Sequence, residues 1–145
     1  MTSKSGSYRY DSFEKQAQIQ EFERLNRQAS TLLETERQLW SSMGSVSGQH
    51  VLDLGCGSGL VTRELAKQVY PAEVVGVDIS QELLDKGIQV YSACKKGKNQ
   101  KVSFQHGSVY NLPFSDNSFD IVYARLLFQH LSNPFSALSN VMRVL

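Results

Sequence analysis

VLDLGCGSG, residues 51–59, is the stretch on which the reading of this chain turns. Val51, Leu52 and Leu54 form a short apolar run, glycines at 55, 57 and 59 break it, and LVTRELAKQ follows with helical spacing. That order predicts a strand, a glycine turn and a helix. Gly55, Gly57 and Gly59 carry no side chain, so the backbone can turn sharply and a ligand can lie against its N–H groups, facing the helix N-terminus. A second apolar run, residues 73–77, delivers Asp78, where a carboxylate can accept both hydroxyls of a ribose. The pattern points to an adenosine-containing ligand.

A dinucleotide is the first alternative, because its fingerprint is G-x-G-x-x-G with the pyrophosphate on the helix N-terminus. This chain reads G-x-G-x-G, with Leu60 where the third glycine belongs. The helix then starts one residue early, in a small turn suited to a ligand without phosphates, which disfavours an NAD-dependent oxidoreductase. At these residues the sequence resembles the class I S-adenosylmethionine-dependent methyltransferases of the small-molecule type. The resemblance runs from about Arg24 to Leu145 and includes, in order, VVGVDIS at 74–80, FQHGSVYNLPFSDNSFDIVYAR at 104–125 and HLSNPFSALSNVMRVL at 130–145.

That resemblance implies an α/β fold: a doubly wound, Rossmann-like, mostly parallel sheet of strand order 3-2-1-4, preceded by an N-terminal helix. The Ser-rich, polar residues 1–10 read as a flexible segment, and the resemblance implies an S-adenosylmethionine-binding domain over 11–145 that lacks the usual last strands, as in a C-terminally truncated or shortened relative. The fourth strand would then be an exposed edge open to self-association. The implied reaction is methyl transfer from S-adenosylmethionine to a small-molecule acceptor by in-line displacement. The alternative is a cofactor-binding or interaction module without catalysis.

The resemblance also assigns roles. Gly55, Cys56, Gly57 and Gly59 would wrap the methionine end of the cofactor, Asp78 would hold the ribose, and Ile79 would pack on the adenine. Asp53, costly to bury without a partner, would meet the cofactor's amino group, as would the backbone carbonyl at Ala124 and Arg125. Arg24 and Gln28 lie one turn apart on one helix face, which is either a solvated face or, as the resemblance implies, one from which Arg24 would hold the methionine carboxylate. Tyr10 would cover the sulfonium by cation–π attraction, worth about 0.5–2 kcal/mol, whereas Tyr8 reads as a flap or exposed residue. Ser108 stands where relatives mostly carry Asp, so its hydroxyl would accept more weakly from the adenine amino group, with the Val109 N–H beside it. His130 is a candidate general base, although a lone histidine is more often packed or solvated, and no catalytic residue is assigned.

The rest of the chain sets bounds. Its 145 residues, 41% of them hydrophobic, make one domain with a packed core. A net charge of +1 supplies no strong field towards nucleic acid or an anionic membrane. Cys56 and Cys94 lack metal spacing and are expected to be reduced in the cytoplasm. The polar N-terminus predicts neither a signal peptide nor a membrane anchor. Asp11 and Glu14 suggest a capping box opening a helix to about Ser42, with Phe22, Leu25, Ala29, Leu32 and Leu33 on its apolar face. Pro71 is expected to end the helix after the glycine turn, and Ser80 to cap one that turns Leu83, Leu84 and Ile88 inward. Lys95, Lys96, Lys98 and Lys101 read as a solvated loop. Strands are expected at 102–106 and 119–124, with Asp120 as a structural cap, and Asn133 and Pro134 opening the last helix.

Overall fold

A computed structural model describes residues 10–42, 48–69, 73–92 and 101–145. Tyr8, Cys94, Lys95, Lys96, Lys98 and Pro71, and with them most of the predicted 1–10 segment, lie outside the described residues. Four strands, β1 (His50–Leu54), β2 (Glu73–Asp78), β3 (Val102–His106) and β4 (Ile121–Ala124), form one parallel sheet in the order β3-β2-β1-β4. This is the expected order. The two central strands are buried almost throughout, which is why they read as continuous apolar runs rather than alternating ones. β4 begins at Ile121, two residues later than expected, because the backbone N–H of Asp120 and its carboxylate are both used to hold His50.

The core lies on both faces of the sheet. Val51 and Val74 pack under α1 (Lys15–Ser42) and α2 (Leu60–Val69) with Ala29, Leu33, Trp40 and Leu65. Leu52, Leu54, Val75 and Val77 point the other way, onto Leu112, Phe119 and the helix α4 (Pro134–Val144). A third cluster joins Tyr10 and Phe22 to Leu83 of α3 (Gln81–Ser92). Helices therefore cover the two sides, as in a doubly wound fold.

Three helical expectations are corrected. The first helix starts at Lys15 after a 3-10 turn, Tyr10–Ser12, and Asp11 does not cap it, because its carboxylate accepts the Ser80 hydroxyl. Leu32 is 41% exposed and Ile88 42%, so both fall outside the buried stripes. On α1 that stripe is Phe22, Ala29, Leu33, Glu36 and Trp40. Ser80 does cap α3, its hydroxyl accepting the Leu83 N–H at 3.1 Å. Asn133 caps α4 through the Ser136 N–H at 3.1 Å, with Pro134 in the first turn. Among the described residues no helix is long and apolar enough to cross a membrane.

Candidate functional site

A cavity of about 450 Å³ opens at the carboxyl ends of β1, β2 and β3, where open α/β sheets bind their ligands. Its floor is the turn after β1, in which Gly55, Gly57 and Gly59 take φ of +69°, +56° and +74°, a region that side chains disfavour. The N–H groups expected to face a ligand are engaged instead. Gly55 and Cys56 donate to the Val77 carbonyl at 2.8 and 3.1 Å, and Gly57 donates to Asp78 Oδ2 at 2.8 Å. The other Asp78 oxygen accepts the Ser80 N–H at 2.9 Å. A carboxylate offers about four acceptor sites, so Asp78 keeps capacity for further donors. Burial raises its pKa, and the Ser80 and Gly57 N–H groups act against that rise.

Asp53 is 2% exposed and finds a partner that the sequence did not signal: Thr62, in the first turn of α2, donates to its Oδ2 at 2.6 Å. One hydroxyl does not offset burial, and with Asp78 nearby the Asp53 pKa is pushed up to about 7. Burial raises the Cys56 thiol as well, leaving it a packing group rather than a nucleophile.

Of the residues expected to touch a cofactor, all but Gly59 and Ala124 stand on the cavity wall. Gly59 faces away. A Cβ there would lie 2.4 Å from Phe104 Cε1, so this glycine serves the turn and the packing behind it. Ala124 ends β4 opposite Leu54, off the cavity. Arg24 and Gln28 share the wall on α1, but the Arg24 guanidinium forks onto Glu21 at 2.6 and 2.7 Å, so a ligand carboxylate would share that fork. Arg125 does more than end a strand. Its Nε meets Glu36 at 2.5 Å and its Nη2 donates to the Gln28 carbonyl at 3.2 Å, tying β4 to α1. Glu36, 9% exposed, was missed, although it falls on the buried stripe of α1. Tyr10 is buried with its hydroxyl on the Gln18 carbonyl at 2.8 Å, while Ile79 stays half exposed. The Ser108 hydroxyl accepts the Tyr110 N–H at 3.2 Å. His130 closes a 3-10 turn, Phe128–His130, at the cavity rim.

The family model for a methyltransferase domain matches residues 52–145. The chain belongs to the methyltransferase domain family. An uncharacterized methyltransferase of Schizosaccharomyces pombe is 45% identical to this methyltransferase domain over 97 residues, covering 65% of the chain and 35% of the relative. The O-methyltransferase resE of Aspergillus sclerotiorum is 34% identical over 110 residues, covering 75% and 40%. Among solved structures, a methyltransferase of Haloferax volcanii in complex with the activator Trm112 aligns with a TM-score of 0.71 at 27% identity, covering 84% of this chain and 51% of that one. The methyltransferase domain described here therefore spans less than half the length of the two curated relatives.

Proposed function

We propose that this domain binds S-adenosylmethionine in the cavity over the glycine turn and transfers its methyl group to a small-molecule acceptor. The observation that carries the reading is the Asp78 carboxylate, fixed at the cavity by the Gly57 and Ser80 N–H groups with acceptor capacity left for a ribose. The cavity suits a nucleoside of this size, with Ile79, Leu83 and Val109 offering apolar surface to a base. Asp53, poised near neutrality in a buried site, suits a cationic amine, whose charge would offset the burial of a carboxylate.

When bound, the sulfonium supplies a methyl group already activated for attack. The protein's own contribution is alignment, worth up to about 7–11 kcal/mol in well-oriented systems, and exclusion of water from the cleft. For an acceptor that must lose a proton, the His130 imidazole on the cavity wall is the candidate base. A modest net charge supports a small acceptor rather than nucleic acid, and the free, buried Cys56 thiol supports a reducing, cytoplasmic setting. Self-association at the β4 edge is the second partner reading, supported by the exposed Phe135, Leu138 and Met142 on the neighbouring α4.

Calorimetric titration with S-adenosylmethionine tests the site. Asp78→Ala should weaken binding at least tenfold, the loss of about 1.4 kcal/mol expected of charge-assisted hydrogen bonds. Equal affinity in the two proteins would remove the ribose assignment.

A further inference from the structure

The chain between β4 and α4, residues 125–133, forms one wall of the cavity through Leu126, Leu127, Gln129, His130 and Leu131. This wall leaves β4 under strain. Leu126 sits at φ +54°, in the left-handed region that a bulky side chain occupies only when its surroundings over-determine it. Part of that constraint is Leu127, packed so closely on Gly55 that a Cβ there would lie 3.0 Å from Leu127 Cδ1.

The constraint at the other end of the wall comes from Tyr110. Its hydroxyl accepts the Asn133 N–H at 3.1 Å and shares a hydrogen bond with Ser132 Oγ at 3.3 Å. Its carbonyl accepts Asn140 Nδ2 of α4 at 2.9 Å, and its N–H is held by the Ser108 hydroxyl. The helix it grips is fixed in turn by Arg143, which donates to the Leu112 and Phe114 carbonyls at 2.8 and 2.7 Å. One residue thus joins the loop after β3, where a base would lie, to the end of the strained wall.

We infer that Tyr110 is a positioning residue: its hydroxyl pins residues 132 and 133, holding the Leu126 strain and presenting Gln129 and His130 to the acceptor. The acceptor half of this statement rests on the proposed methyl transfer. The latch itself does not.

Hydrogen exchange followed by mass spectrometry tests it on the whole chain without ligand. Tyr110→Phe keeps the ring and loses the hydroxyl, so amides in 126–133 should exchange about fivefold faster, the effect of one net hydrogen bond. Amides of β1 and α2 should stay within about twofold of the parent, since locally opening units report their own stability. The His130 ring carbon resonance, assigned with His130→Gln, should broaden or shift in Tyr110→Phe. In a Leu126→Asn background, where the left-handed conformation is tolerated, the same change should accelerate exchange by less than about twofold. Unchanged exchange over 126–133, acceleration spread evenly through β1 and α2, or equal acceleration in both backgrounds overturns the assignment. Because exchange is read without S-adenosylmethionine, failure of that compound to bind the parent protein would remove the proposed function and leave the latch judged on these results alone.

Discussion

Gly87 lies inside α3, where replacing glycine by alanine ordinarily favours a helix by about 1 kcal/mol. Here the sign should reverse. A Cβ at Gly87 would lie 2.1 Å from the Ser58 carbonyl oxygen and 2.7 Å from its carbon. Those are backbone atoms of the glycine turn, and they cannot swing aside as a side-chain tip would. Ordinary contact begins at 3.4 Å, so helix and turn must part by more than an ångström. Separation on that scale strains the cap of Ser80 on α3 and the Ser58 hydroxyl's bond to Asn26 of α1, 2.6 Å long. Overpacking of this kind costs about 1–3 kcal/mol or more, which exceeds the propensity gain at most of its range. The expected net loss for Gly87→Ala is therefore up to about 2 kcal/mol, or a fall in melting temperature of up to roughly 8 °C for a domain of this size. Urea and thermal denaturation measure it directly. A variant more stable than the parent by about 1 kcal/mol would show that α3 does not seat against the turn as described.

Two further substitutions probe the cavity. Asp53 has its pKa raised to about 7, so the folded chain holds a proton there that the unfolded chain has already released. Its contribution to stability is full below the ordinary carboxylate range and is lost as pH rises towards 7. Asp53→Asn should flatten the decline of stability between about pH 4 and 7, and binding of a cationic amine to the parent should release protons near neutrality, read by calorimetry in buffers of different ionisation enthalpy. A parent and variant with parallel pH profiles would remove that linkage. Ser108→Asp should tighten S-adenosylmethionine by about tenfold, as a charged acceptor replaces a neutral one, and unchanged or weaker binding would show that the base does not meet this side chain.

Much of the fold was legible because its signals are local. Continuous apolar runs mark strands buried on both faces, and the three glycines of 51–59 occupy backbone conformations that other residues avoid, so pattern and geometry coincide there. Asp78 was legible for the same reason, as the residue that ends a strand beside that turn. What escaped the sequence depends on distant contacts. Thr62 meets Asp53 only once α2 has docked beneath β1, and Asp11 fails as a helix cap because Ser80, far along the chain, takes its carboxylate. Helical spacing gave a broad apolar face for α1, whereas the sheet accepts a narrower stripe that admits Glu36 and leaves Leu32 in solvent. Gly87 carried no signal, because a glycine inside a helical pattern looks like a weakness until its neighbour is known.

Because one carboxylate splints both the glycine turn and the start of the following helix, the scaffold and the acceptor proposed for a ribose are the same atoms. The two hydrogen bonds that close the turn and start the helix also fix the direction of the Asp78 carboxylate. Redesign of ligand preference at that position must therefore begin by supplying a substitute brace.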